Sequence, residues 1–195
     1  INTTGIGIIP PGVDISGSRA RPGDKVIING AIGDHGIAVL AQREGLKFSL
    51  PIQSDCAPLN GLAQDILRVS SNLHTMRDPT RGGLASILNE IASQSGVGIR
   101  LFEDKVPVHD GVRGACELLG FDPLYVANEG KLAVVAAAED ADKIVSTMQE
   151  NKYGREAVII GEVIPDFPGK VLLKTRMGAS RIVDMLSGEL LPRIC

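Results

Sequence analysis

Lys25-Val26-Ile27-Ile28-Asn29-Gly30-Ala31-Ile32-Gly33-Asp34-His35-Gly36 is the stretch whose reading decides the fold. Its first five residues form an apolar run of strand length, three glycines follow, and residues 37–43 then carry the spacing of an amphipathic helix. A strand passing to a helix through a glycine loop leaves backbone N–H groups at the helix N-terminus, where an anion can be held. A plain βα turn with Asp34 as N-cap explains the same residues. No Gly-Lys-Ser/Thr follows, so the loop is not a P-loop.

Towards the C-terminus, residues 46–54 read as a short strand and a turn, and 57–69 as a helix with Leu59, Leu62, Ile66 and Val69 on its apolar face. Helices are expected over 84–92, 111–119 and 139–149, the last capped from Ala138-Glu139-Asp140, with Cys116 a buried small hydrophobe. Strands are expected over 97–102 and 132–137, and over 157–164 and 170–173 on either side of the 165–169 loop. A helical pattern over 181–186 runs out at Gly188. Towards the N-terminus, Pro10-Pro11-Gly12, Ser16-Gly17-Ser18 and Arg21-Pro22-Gly23-Asp24 are turn chemistry and the chief boundary in the chain. Before it, Gly5-Ile6-Gly7-Ile8-Ile9 reads as a strand already under way. With no initial Met, an upstream portion is expected to be missing. There is no internal repeat. The succession of elements gives an α+β fold, a mixed β-sheet layered with helices.

A chain of 195 residues is long enough to bury about 70% of its unfolded surface in a real core. With no Trp, two Tyr and four Phe, that core must be aliphatic. The net charge of −3, without a Lys/Arg cluster or an aromatic platform, argues against a nucleic-acid surface. No apolar run approaches the roughly 18 residues of a membrane span, and the first residues lack the charge and apolar block of a signal peptide. Cys56, Cys116 and Cys195 are an odd number without CxxC spacing, which fits a reducing cytosol. His35, His74 and His109 do not cluster with Cys or acidic residues at zinc spacing, so no metal ligand set is assigned.

Three further stretches carry chemistry. Asp78-Pro79-Thr80-Arg81-Gly82-Gly83 packs more charge into a helix start than capping requires. Asp78 and Thr80 can cap free N–H groups, and Arg81 can clamp a phosphate or carboxylate through two parallel hydrogen bonds; an Asp–Arg structural pair is the plainer account. In Ala127-Asn128-Glu129-Gly130 a carboxylate lies between an apolar stretch and a strand, where its pKa can be tuned for a general base; Asn-Glu-Gly is also ordinary hairpin material. The chain ends in Leu191-Pro192-Arg193-Ile194-Cys195, a thiol on the final residue of an arm that reaches about 20–25 Å beyond Gly188 when extended. Pro192 keeps that arm from being helical. A free thiol of pKa near 8.5 is only a few per cent thiolate at neutral pH; the terminal carboxylate lowers that fraction and Arg193 offsets it in part. A frayed end that happens to carry a cysteine is the bland alternative.

Taken together, Gly33-Asp34-His35-Gly36, Asp78-Pro79-Thr80-Arg81-Gly82-Gly83, Asn128-Glu129-Gly130 and Pro192-Arg193-Ile194-Cys195 resemble the HypE family of hydrogenase maturation proteins, within the superfamily of aminoimidazole ribonucleotide synthetase and selenophosphate synthetase. The second and fourth motifs are the specific ones. The resemblance implies a fold like the C-terminal domain of aminoimidazole ribonucleotide synthetase plus a flexible C-terminal arm. It divides the chain into residues 1–20, the end of an absent N-terminal domain and linker; 21–184, the C-terminal domain; and 185–195, a mobile tail. It also implies a cytoplasmic, homodimeric carbamoyl dehydratase. Such an enzyme accepts a carbamoyl group on Cys195 from the carbamoyltransferase HypF, dehydrates it with ATP and Mg2+ to a thiocyanate, and passes cyanide to a HypC–HypD scaffold. Most ATP and magnesium contacts and the main dimer interface would lie in the N-terminal domain. On this resemblance Glu129 is the base and Asn128 orients it, while Asp34, His35, Asp78 and Arg81 shape the cleft. Two other readings stay open: a carrier and docking module without turnover, and an amide-activating enzyme like selenophosphate synthetase, against which the terminal Pro-Arg-Ile-Cys weighs.

Overall fold

The computed structural model describes residues 4–48 and 51–186. The expected tail with Arg193 and Cys195 lies outside the described residues. Residues 5–9 are not a strand: Ile6, Ile8 and Ile9 stand exposed, and an extended run gains ladder hydrogen bonds only beside a partner strand. Regular structure begins with β1 (Lys25–Ile28) and α1 (Asp34–Glu44), followed by α2 (Asn60–Val69), β2 (Leu73–Arg77), α3 (Gly83–Ser95) and β3 (Gly98–Phe102). Then come α4 (Asp110–Leu119), β4 (Ala133–Ala136), α5 (Ala138–Glu150), β5 (Val158–Ile164), β6 (Val171–Lys174) and β7 (Ser180–Val183).

The seven strands form one mixed sheet in the order β2-β4-β1-β5-β3-β6-β7. β1 lies between β4 and β5, with Val26 opposite Val135 on one side and Gly161 on the other. Neighbours are antiparallel except β3 and β6, which run parallel, so β3 is threaded between the two strands that flank the 165–169 loop. This is the expected α+β sheet layered with helices.

Alternation along the strands sorts the core into two faces. Val26, Ile28, Ala133, Val135, Ile99, Leu101, Val171 and Leu173 point at α3, which is apolar along most of its length: Leu84, Ala85, Ile87, Leu88, Ile91 and Ala92 are all buried there. Ile27, Val134 and Ala136 point the other way, against Leu62 and Ile66 of α2 and Ala141, Ile144 and Met148 of α5. Each such Ile or Leu contributes about 1.5–3 kcal/mol when fully buried. α1 and α4 form a smaller third cluster, in which Ile37, Val112, Ala115 and Cys116 close over Val126.

Several local expectations are corrected. The stretch 181–186 is not helical: Ser180–Val183 pairs with β6, placing Val183 in the α3 core, a tertiary pairing that overrides helical spacing. No strand forms among the described residues of 46–54. The polar run Leu73–Arg77, not expected as a strand, pairs with β4. Asn128-Glu129-Gly130 is not a hairpin turn, since a 3-10 turn over Pro123–Tyr125 precedes it instead of a strand. The expected caps are also otherwise engaged. α1 starts from Gly33 in a left-handed conformation, with Asp34 as its first residue. The Asp140 carboxylate accepts hydrogen bonds from Ser70 Oγ and Asn72 Nδ2.

Candidate functional site

The three internal motifs meet at one fully buried side chain, that of Asn128. Its Oδ1 accepts the Gly33 N–H at 2.7 Å, and its Nδ2 donates to the carbonyls of Pro79 at 2.9 Å and Val126 at 3.0 Å. Its backbone N–H also donates to the Pro79 carbonyl, at 3.1 Å, and Ala127 accepts from the Gly36 N–H at 3.0 Å. The glycine loop, the Asp-Pro-Thr-Arg loop and the Asn-Glu-Gly segment are thereby bolted to each other. This amide satisfies three backbone groups of three loops, so what it positions is the joint.

Glycine is required where the loops touch. Gly33 has φ +91°, and a Cβ there would come within 2.8 Å of Val112 Cγ1. Gly83 has φ +61°, and a Cβ would meet the Leu124 and Val126 carbonyl oxygens.

Glu129 is half-buried and held through its backbone. Its N–H donates to Asp55 Oδ1 at 2.9 Å. Asp55 is buried at its carboxylate, 4% exposed, and its Oδ2 lies 3.3 Å from Lys131 Nζ. That oxygen has an ion-pair distance but no well-directed hydrogen bond, which makes its contact with Lys131 chiefly coulombic. One residue on, the Gly130 carbonyl accepts from Asn29 Nδ2 at 3.1 Å, and Asn29 Oδ1 accepts the Leu132 N–H at 2.8 Å.

Asp34 and His35 diverge. Both Asp34 oxygens accept from His109 Nδ1, at 2.9 and 3.1 Å, while His109 Nε2 faces Glu156 at 3.5 Å. The Asp34 hydrogen bond raises the His109 pKa above its ordinary value, helped by the Asp34 and Glu156 charges and opposed by partial burial. His35 Nδ1 lies 2.8 Å from Ser54 Oγ, which also accepts the N–H of exposed Cys56 at 3.2 Å. Asp34, Asp55, His109, Asp110 and Lys131 line a cleft of about 510 Å³. Asp78 and Arg81 are both on the surface, beside the buried Pro79, and α3 starts from Gly82 without a side-chain cap.

The glycine loop is poorly disposed to a phosphate, because the Gly33 and Gly36 N–H groups are spent inside the fold and the Asp34 carboxylate places a negative charge in the first turn of the helix. Among the described residues, no group of three His, Cys, Asp or Glu side chains could hold a metal ion. Also among them, no helix is long and apolar enough to cross a membrane.

Asp55, Lys131 and His109, the partner of Asp34, belong to no motif recognised in the sequence, and Asn29 was read only as the end of a strand. His109 carried one usable signal, its place beside Asp110 at a helix start.

The mixed sheet of this chain falls within a known class of proteins. The family model of the AIR synthase related protein C-terminal domain matches residues 21–174, and the chain belongs to that family. Within it, the chain is 52% identical over its whole length to the carbamoyl dehydratase HypE of Azotobacter vinelandii, covering 57% of that protein. It superposes with a TM-score of 0.87 on the hydrogenase maturation protein HypE in complex with ATP, at 44% identity, covering 92% of this chain and 55% of that one. Against a chain of a HypE–HypF complex the TM-score is 0.86, at 47% identity, with 89% and 56% covered. The resemblance to HypE read from the motifs holds, and the chain spans a little over half the length of these relatives.

Proposed function

We propose that these residues are the C-terminal part of a HypE-type carbamoyl dehydratase that serves nickel–iron hydrogenase maturation. Residues 1–20 are the end of an N-terminal domain with its linker, 21–184 the C-terminal domain and 185–195 the arm. Cys195 sulfur takes a carbamoyl group from HypF, forming R–S–C(O)–NH2. Transfer of the γ-phosphoryl group of ATP to the carbonyl oxygen turns that oxygen into a leaving group. Loss of the nitrogen protons and of phosphate then gives R–S–C≡N, with ADP and phosphate as the other products. Glu129 is the base, on a segment whose backbone is held before substrate arrives. Arg193 favours the thiolate, and Asp34, His35, Asp78 and Arg81 shape the surface against which the arm folds. Most ATP and Mg2+ contacts are assigned to the N-terminal domain, a reading supported by the Gly33 and Gly36 N–H groups being engaged within the fold here. The partners are HypF, a HypC–HypD scaffold and a second copy of the full-length protein, in the cytoplasm.

One observation carries this reading: the identity to carbamoyl dehydratases runs along the entire chain at 52%. A second reading, that these 195 residues alone carry and dock without turnover, is favoured by the engagement of the Gly33 and Gly36 N–H groups inside the fold, where neither is offered to a phosphate. One experiment tests both. The full-length protein, given carbamoyl donor and ATP, gains one carbamoyl on the peptide ending in Cys195 and then loses one water by mass, whereas the 195-residue chain does not lose it. Modification of Cys56 in place of Cys195 would overturn the assignment.

A further inference from the structure

The contact that fixes Glu129 most directly comes from a residue outside every motif. Asp55, in the irregular segment before α2, presents Oδ1 to the Glu129 N–H at 2.9 Å. Burying a carboxylate for a single amide would be costly, and here the cost is offset by Lys131, itself only 13% exposed, with Nζ 3.3 Å from Oδ2. The fit is close on the backbone side too: a Cβ on Gly130 would overlap the Asp55 carbonyl oxygen, so residue 130 has no side chain and the two segments lie in contact. Asn29 holds the far side through the Gly130 carbonyl and the Leu132 N–H. A buried charged pair is a poor source of net stability compared with apolar packing of the same volume, but it specifies geometry.

We propose that Asp55 is a positioning residue for Glu129: its carboxylate, charge-balanced by Lys131, clamps the Glu129 amide and sets where the Glu129 side chain is delivered. Asp55 does not touch the carbamoyl group. The inference rests on Glu129 acting as the base, and it assigns to the Asp55–Lys131 pair a share of the dehydration rate rather than of ATP or carbamoyl binding.

The test uses the full-length protein, carbamoylated first and then given ATP, with the thiocarbamate-to-thiocyanate step followed by intact mass. Asp55→Asn keeps the shape and a weaker acceptor but sets an amide against Lys131, and the step slows about tenfold. Asp55→Ala removes the clamp and slows it about a hundredfold, the size expected when a reacting group is misplaced by about 1 Å. The KM for ATP and the extent of carbamoylation of Asp55→Asn, measured well below its melting temperature, stay at wild-type values, which a loss of folded protein would not allow; the melting temperature itself falls, because Lys131 keeps a buried charge without its partner. Glu129→Gln is run alongside. If Glu129→Gln dehydrates normally, the reading of Glu129 as base fails. If Glu129→Gln stalls but Asp55→Asn runs at the wild-type rate, the positioning role alone is overturned. A slowing of Asp55→Asn matched by a raised KM for ATP or a reduced extent of carbamoylation overturns it as well. Should Asp55→Ala not fold, the isosteric variant decides.

Discussion

Replacing Asn128 by Ala should loosen the joint between the three loops, and the cost can be worked from its bonds. The side chain is fully buried and makes three hydrogen bonds, of 2.7, 2.9 and 3.0 Å. Truncation leaves the Gly33 N–H facing a dry hole, which costs about 1–3 kcal/mol for an unsatisfied buried donor. The Pro79 carbonyl still accepts the Asn128 N–H, so its loss is small; the Val126 carbonyl loses its side-chain donor, worth about 0.5–1.5 kcal/mol. The sum is about 3 kcal/mol, or roughly 6–12 °C in melting temperature for a domain of this size. Equilibrium unfolding in urea, with the slope held in common, measures it. Asn128→Asp should be no milder, because a carboxylate would then face two carbonyl oxygens that now receive N–H groups. A loss below about 1 kcal/mol for Asn128→Ala would show that the amide does not hold the joint, and the geometric argument for a shared site would go with it.

Two further outcomes follow from perturbed groups. The raised His109 pKa means that its pairing with Asp34 stabilises the fold fully below the ordinary value of 6.5 and less as pH rises through the folded-state pKa. The melting-temperature gap between wild type and His109→Gln should therefore shrink from about pH 5 to about pH 9, and a flat gap would refute the pairing. Burial pushes the Cys116 thiol up to about 11, whereas Cys56 is exposed. Iodoacetamide on the folded chain should label Cys56 and spare Cys116 until denaturant is added, as read by peptide mass; equal labelling of the two would contradict the buried α1–α4 cluster.

What was legible in the sequence is what alternation and apolar spacing govern. Val26, Ile27 and Ile28 announced an apolar strand, which the fold buries on both faces, and Leu62 with Ile66 announced the inward stripe of α2. What failed was decided by partners far along the chain. Ile182 and Val183 have helical spacing with Met185 and Leu186, yet β6 offers Val183 a place over α3. His74, Thr75 and Arg77 are too polar to announce a strand, and β4 supplies the edge that makes them one. At the site, the motifs marked Asn128, Asp34 and Pro79, and the fold joins them as one unit. They could not mark Asp55 or His109, whose roles are distances to residues 74 and 75 positions away. A carboxylate in the first turn of a helix suggests a cap; Asp34 and Asp140 were claimed by His109 and by Ser70 with Asn72 instead.

The central place of β1 has a consequence for synthesis on the ribosome. Ile28 is sealed by Ala133 on one flank and Val158 on the other, so the strand made first among the seven waits for the fourth and the fifth. At roughly 5–20 residues per second the interval is on the order of ten seconds, during which Val26, Ile27 and Ile28 stand in water as an adhesive apolar edge. Such a nascent chain invites a holdase, and its yield in cells should depend more on translation speed and chaperone supply than the stability of the finished sheet would indicate.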